Sequence, residues 1–178
     1  MQIIKIKNEK QIPDNYIGTP ISELISYQNL GSEFKVYSSA EILVGMCMDN
    51  RKQLRIPENF AYIIRTGGAN LRYSEFKVSY AIAIGNIKHV ALIAHDNCGM
   101  VNLVSKRERF VEGLCKNAGW NKERAEEHFM NYAPMFEIDN ELDFIVKESR
   151  RLAEKYPGVM VVPLLYTIED NMLSVIIE

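Results

Sequence analysis

The sequence is poor in cysteine and has no long apolar run, and each of these absences excludes a class of protein. Three cysteines among 178 residues do not suit a disulfide-stabilised scaffold, so each thiol is expected to pack in the core, bind a metal or act as a nucleophile. No apolar run approaches the roughly 20 residues that span a bilayer, and the N-terminus becomes charged too early for a signal peptide. The sequence therefore predicts a cytoplasmic protein that does not bind membranes.

An excess of charge of one sign is also lacking. The 21 basic and 23 acidic residues give a formal net charge of -2, which predicts no nucleic-acid partner. A hydrophobic fraction of 47% and a charged fraction of 25% are ordinary for a globular protein. We expect a single domain over residues 1–178, in which the polar residues 1–20 form an N-terminal arm outside the core.

Apolar runs alternate with segments of helical spacing along the chain. Strands are predicted at 40–46, 60–64, 89–94, 159–168 and 172–177, the last two joined as a hairpin. Helices are predicted at 21–30, 73–84, 99–106 and 137–156, with two more in 107–136 that are broken at 118–119 and at Pro134. This alternation predicts an α/β fold with a largely parallel sheet.

Two of the predicted strands end in residues that suit a metal site. The first strand leads into Cys47, and the third leads into His95 and Cys98. Because the carboxyl ends of parallel strands form the ligand-binding edge of an open sheet, these side chains are expected to meet there. Two thiolates and one imidazole make a catalytic zinc shell with an open fourth position, and sulfur ligands favour zinc over magnesium or calcium. Either cysteine could instead be a small buried hydrophobic side chain.

Asp49 and Arg51 follow Cys47 closely enough to act at the same site. The carboxylate of Asp49 could bind the metal or accept a proton from metal-bound water. Arg51 could hold that carboxylate in a two-pronged hydrogen bond and keep it ionised. An isolated pair of this kind is usually a surface salt bridge of little energetic consequence. The position of this pair beside a predicted ligand favours a functional role.

The sequence resembles the β-class carbonic anhydrases at these residues. The zinc motif of that family, Cys-x-Asp-x-Arg followed by His-x-x-Cys-Gly, is present as CMDNR at 47–51 and HDNCG at 95–99. RTGGAN at 65–70 is similar to the Arg-x-Ala-Gly turn of the family, and the segment 74–95 is similar to its helix-then-strand approach to the histidine. The resemblance runs from about residue 42 to residue 100 and is weaker from residue 139 onward.

The resemblance implies that Cys47, His95 and Cys98 bind Zn2+ and that Asp49 and Arg51 form a catalytic dyad. It implies a zinc-dependent lyase that reversibly hydrates carbon dioxide to bicarbonate through a zinc-bound hydroxide oriented by the dyad. It also implies a mostly parallel sheet flanked by helices, with an antiparallel edge strand, and a homodimer or larger homo-oligomer with the site near the dimer interface. Relatives that hydrolyse carbonyl sulfide or carbon disulfide at the same zinc shell, and a non-catalytic zinc- or anion-binding relative, are the alternatives.

The sequence departs from the family pattern at several positions. Ala94 precedes the histidine where glycine is common, and Asp96 places an additional carboxylate that is expected to lie beside the metal. The segment 107–136 has no counterpart in the family and is expected to cover the pocket or to pad the dimer. Cys115, within that segment, is expected to be a packing thiol.

Overall fold

A six-stranded sheet forms the centre of the computed structural model, which describes residues 1–177. The strands in chain order are β1 (Gln2–Lys5), β2 (Ile42–Cys47), β3 (Ala61–Thr66), β4 (His89–His95), β5 (Met160–Thr167) and β6 (Met172–Ile177). Their order across the sheet is β1-β6-β5-β4-β2-β3. The strands β3, β2, β4 and β5 are parallel, whereas β6 pairs antiparallel with both β5 and β1. The predicted α/β fold with a mostly parallel sheet and an antiparallel edge strand is confirmed.

Helices cover both faces of this sheet. They are α1 (Pro20–Ile25), which continues into a π-helical turn (Ser26–Leu30), α2 (Glu75–Ala83), α3 (Arg107–Ala118), α4 (Lys122–Phe136) and α5 (Glu141–Lys155). Alternate residues of β2 reach opposite faces: Val44 packs in the cluster that contains α1, and Leu43 packs in the cluster that contains α2 and α5. Because both faces are covered, every residue of β2 is buried, which explains why this strand is a continuous apolar run.

The order of the strands creates a crevice at the carboxyl end of β2. From β2 the chain passes to β3 on one side and then, through α2, to β4 on the other side. The connections therefore diverge between β3 and β4, and this is the position at which open α/β sheets bind ligands.

Residues 1–20 do not form the predicted arm outside the core. Strand β1 pairs with β6, and the side chains of Ile6 and Ile12 are buried among core residues. The polar composition of this segment gave no sign of a short edge strand, because only a few of its residues, among them Ile4, Ile6 and Ile12, pack against the core.

Two helix predictions also need correction. The segment 99–106 contains a left-handed residue, Asn102, and only a 3-10 turn (Leu103–Lys106), because the Lys106 ammonium binds the carbonyls of Gly99 and Val101 and closes the loop. Pro134 does not break α4, which continues to Phe136. The carbonyl four residues earlier belongs to Met130, which lies on an exposed face of the helix where water can replace the lost hydrogen bond.

Among residues 1–177, none of the helices combines the length and the apolar character needed to cross a membrane.

Gly45 in β2 provides a test of this packing. A Cβ atom at this position would lie 2.8 Å from Leu92 Cδ2 and 2.9 Å from Leu71 Cδ1, closer than real Cβ contacts. We predict that Gly45→Ala lowers the free energy of unfolding by about 1–3 kcal/mol, because the core must shift to admit the methyl group. Gly113→Ala in α3 is the control, since nothing lies within 4 Å of its added Cβ, and it should stabilise the helix. Urea unfolding measures both, and equal effects would contradict the packing described.

Candidate metal centre

The structure brings Cys47, His95 and Cys98 together at the carboxyl edge of the sheet. Cys47 is the last residue of β2, and His95 is the last residue of the neighbouring strand β4. The chain then turns through Asn97, whose left-handed backbone (φ 54°) returns Cys98 toward the strand ends. Asparagine tolerates this conformation better than most residues do, so the local sequence suits the turn.

The geometry of these three side chains fits a tetrahedral metal ion. The two sulfur atoms lie 3.9 Å apart, and one ligand atom from each of the three residues lies within 4.8 Å of the other two. Two thiolates bound to one zinc ion at about 2.3 Å would be separated by about 3.8 Å. All three residues are buried, with His95 only 1% exposed. The cluster could therefore hold a metal ion.

One nitrogen of His95 is positioned to bind such an ion. The Nδ1 atom lies 2.9 Å from the backbone carbonyl oxygen of Asp96, a contact that favours a proton on Nδ1 and leaves Nε2 with a free lone pair. The Nε2 atom is buried and has no hydrogen-bond partner among the described residues. A buried polar atom without a partner is costly, and a metal ion bound to Nε2 would remove that cost.

Of the two thiols, Cys47 favours the thiolate form that binds metals. A hydrogen bond from Cys98 lowers the pKa of Cys47 to about 3; burial opposes this shift, and the backbone N–H groups of Asp49 and Gly68 add to it. The same contact, together with burial, raises the pKa of Cys98. In the metal-free protein the pair therefore shares one proton, which a metal ion would displace.

Asp49 and Arg51 form a two-pronged ion pair beside this cluster. The guanidinium donates from Nε to Asp49 Oδ1 at 3.0 Å and from Nη2 to Asp49 Oδ2 at 2.6 Å. These hydrogen bonds hold the pKa of the Asp49 carboxyl well below its usual range. Nη2 also donates to the carbonyl of Asn97 at 3.0 Å, so Arg51 joins the two halves of the site. Asp49 Oδ2 lies 4.0 Å from His95 Nε2.

Three residues that sequence reasoning did not select support the site. Arg65 donates to the carbonyls of Cys47, Asp49 and Lys52 and so fixes the loop after β2. Lys52 itself is buried and directs Nζ toward the Cys47 carbonyl, and burial lowers the pKa of its ammonium to about 8. Glu141, in the first turn of α5, accepts the N–H of Cys98. Only the arginine lay in a recognised motif, RTGGAN, and nothing in the sequence marked the other two.

Asp96 does not occupy the position expected for it. Its carboxylate Oδ1 accepts the backbone N–H of Ile168 at 2.8 Å, just beyond the end of β5. The contact of Asp96 with His95 is made by its backbone carbonyl. The expectation that this carboxylate lies beside the metal is wrong, because the open backbone N–H at the end of the adjacent strand binds it instead.

Helices α3 and α4 form one wall of an apolar cavity whose opposite side contains Met100, a residue that packs against Cys47 and Cys98. The cavity has a volume of about 280 Å³. The side opposite the helices contains Gly67, together with Met48 and Met100, which are close to Cys47 and Cys98 in sequence. The helical wall contains Phe110, His128, Phe129, Tyr132, Ala133 and Phe136. The segment 107–136 therefore lines a cavity next to the cluster, and its expected role as a cover of the active-site pocket stays a prediction.

Comparison of the structure with solved structures identifies its fold. A β-carbonic anhydrase of Trichomonas vaginalis superposes with a TM-score of 0.62 at 17% identity, over 84% of this chain and 90% of that one. A carbonic anhydrase of Glaciozyma antarctica gives a TM-score of 0.61 at 15% identity, over 91% and 98% of the two chains. The chain has the β-carbonic anhydrase fold. A carbon disulfide hydrolase shares the β-carbonic anhydrase fold with it, at a TM-score of 0.54 and 17% identity over 90% of each chain.

At the level of sequence alone, no family model matches the chain, and a search of curated proteins also gives no match. The similarity to solved β-carbonic anhydrases is thus one of fold.

The cluster makes a direct prediction about metal content. We expect the purified protein to hold about one divalent metal ion per chain, and Cys98→Ser to lower the affinity for it by about 100-fold or more, because loss of a ligand should exceed the loss of a supporting contact. Cys115→Ser is the matched control, since this third cysteine is outside the cluster. Elemental analysis after dialysis measures both. Full metal retention by Cys98→Ser would rule the centre out.

Proposed function

We propose that this protein is a zinc-dependent carbonic anhydrase that interconverts carbon dioxide and bicarbonate. The observation that carries the proposal is the pairing of a buried cysteine–histidine–cysteine cluster with an ionised carboxylate, Asp49, whose Oδ2 lies 4.0 Å from the unpartnered Nε2 of His95. Cys47, His95 and Cys98 would hold the zinc ion. Zinc bound there supplies the Lewis acidity that turns water into a nucleophile near neutral pH.

Asp49 and Arg51 would prepare that nucleophile. Since Asp49 stays ionised, it has no proton to donate and would accept a hydrogen bond from the attacking water, which turns the oxygen lone pair toward the carbon of carbon dioxide. The hydrogen bonds from Arg51 occupy both carboxylate oxygens, and they oppose binding of Asp49 to the metal itself. The dyad would thus keep one coordination position available.

The apolar cavity behind Met48 and Met100 supports a small, neutral and apolar substrate. Carbon dioxide cannot donate a hydrogen bond, and a wall of aromatic and aliphatic side chains admits it without the loss of hydration that a charged substrate would suffer. The same cavity favours a second candidate, the hydrolysis of carbonyl sulfide or carbon disulfide. These molecules have the same linear, apolar character, and a solved structure with this fold is a carbon disulfide hydrolase.

We also propose that the protein acts as a homodimer in the cytoplasm. The edge strand β3 and helix α2 expose four large hydrophobic side chains on one surface: Tyr62, Ile63, Phe76 and Tyr80. An uncovered sheet edge with such side chains favours pairing with a second copy. The three cysteines are free, and the two in the cluster must remain reduced to bind a metal, which suits a reducing compartment.

The proposed reaction is tested by Asp49→Asn. We predict that this variant keeps its metal but loses about 100-fold or more in kcat/KM for carbon dioxide hydration, because the amide would no longer present an ionised acceptor to the attacking water. Asp96→Asn is the control, since the Asp96 carboxylate binds Ile168 and not the cluster. It should retain activity within about threefold. Stopped-flow measurements from neutral to alkaline pH give both values.

A metal-loaded wild-type protein without hydration activity at any pH would refute the carbonic anhydrase proposal. Release of hydrogen sulfide from carbonyl sulfide or carbon disulfide by the same sample would then favour the second candidate. Absence of all three activities would favour a non-catalytic zinc- or anion-binding protein.

The proposed dimer is tested by a charge on its surface. Phe76→Asp should weaken dimerisation by about tenfold or more, because the 81% exposed phenylalanine would be buried in the interface. Val36→Asp is the control, since Val36 is fully exposed but lies outside this surface. Analytical ultracentrifugation over a concentration series measures both variants. A monomeric wild type, or equal effects of the two substitutions, would contradict the assignment.

A further inference from the structure

Lys52 is a charged residue in an apolar position. Its side chain is 1% exposed, and its Nζ atom donates one long hydrogen bond, 3.4 Å, to the carbonyl of Cys47. Within residues 1–177 no carboxylate lies within ion-pairing distance of this ammonium. Lysine is almost never fully buried unless it is paired, because removing an ammonium from water is expensive. The fold therefore keeps Lys52 at a cost to its own stability.

The groups that offset this cost belong to the candidate metal centre. Burial lowers the pKa of Lys52, whereas the negative charge of the Cys47–Cys98 pair and that of Asp49 favour the ammonium, and that of Arg65 opposes it. Lys52 also follows Arg51 directly, and its own carbonyl accepts a hydrogen bond from Arg65. The ammonium is thus held against the backbone of Cys47 by the residue that directly follows the Asp49–Arg51 pair.

We propose that Lys52 is a positioning residue of the metal centre, whose buried ammonium returns part of the positive charge that the two thiolates remove. A divalent ion bound to two thiolates and one neutral imidazole has no formal net charge, so it activates water less than an ion bound to three imidazoles. A cation fixed close to the cluster stabilises the negative charge that develops as water is activated. The inference rests on the metal centre of the proposed function but not on the identity of its substrate.

Glu141 is a negatively charged counterpart of Lys52, and it contacts the other cysteine of the cluster, Cys98. Its Oε1 atom accepts the backbone N–H of Cys98 at 2.9 Å, as the Lys52 ammonium donates to the carbonyl of Cys47. The carboxylate should attract a divalent ion and oppose the activation of water, whereas the ammonium should do the reverse. Neutral variants of the two residues are therefore expected to change the centre in opposite directions, which a purely structural role would not produce.

The experiment compares the wild type with Lys52→Met, Glu141→Gln and the control Lys147→Met, which removes an exposed lysine of α5. Zinc affinity of the metal-stripped proteins is measured by competition with a chromophoric chelator at neutral pH. We expect Lys52→Met to bind zinc about tenfold more tightly, Glu141→Gln to bind it more weakly, and the control to match the wild type. In the zinc-loaded proteins, the pH midpoint of hydration activity should rise by about one unit in Lys52→Met and fall in Glu141→Gln.

Folding of the variants is checked by thermal unfolding without metal. Lys52→Met should unfold at or above the wild-type temperature, because an apolar side chain of similar volume replaces an unpaired charge. Weaker zinc binding by Lys52→Met, or unchanged zinc affinity and pH midpoint, would overturn the role of Lys52 while leaving the metal centre intact. A wild type that binds no zinc would instead overturn the metal centre and the inference together.

Discussion

The parallel pairing of β2 with β4 determines whether this protein has a functional site at all. The register that places Gly45 opposite Leu92 brings Cys47 and His95 to the same edge of the sheet, where the chain connections diverge. A slip of one residue would turn one of these side chains toward the other face and separate the ligand atoms. The contact of Gly45 with Leu92 and Leu71 opposes such a slip, because a larger residue would not fit there. The position of the cluster residues therefore depends on packing around Gly45, two residues before Cys47 in the same strand.

Two layers of residues form this centre: an inner layer of candidate metal ligands and an outer layer of charged side chains that contact the backbone of those ligands. The inner layer contains the thiols of Cys47 and Cys98 and the imidazole of His95, all of them buried. Burying a thiolate and a ring nitrogen without a hydrogen-bond partner is unfavourable unless a cation binds them. The outer layer contains charged groups that bind the inner residues through the backbone, namely Arg65 and Lys52 on the Cys47 carbonyl and Glu141 on the Cys98 amide. Because these contacts use backbone atoms, the outer residues can change the electrostatics of the centre without changing its ligands.

The sequence was sufficient to predict the sheet, the strand ends and the juxtaposition of the three cluster residues, because long buried strands are continuous apolar runs that end at recognisable turns. It was not sufficient for features set by tertiary contacts. Strand β1 is short and polar, and only its pairing with β6 makes it a strand. Lys52 stands in a basic run beside Arg51 and Arg55, and no local pattern separates a buried cation from exposed ones. Asp96 was misplaced because its partner, Ile168, is 72 residues away.

We expect substrate selectivity to depend on residues outside the two sequence motifs of the candidate metal centre. Solved structures of 12–17% identity share the fold with this chain, and they include both carbonic anhydrases and a carbon disulfide hydrolase. The fold is therefore compatible with more than one activity. In this chain an apolar cavity next to the cluster is walled by α3 and α4, which lie outside both motifs. Selectivity should accordingly respond to substitutions on the helical wall of the cavity, such as Ala133, whereas metal binding should not.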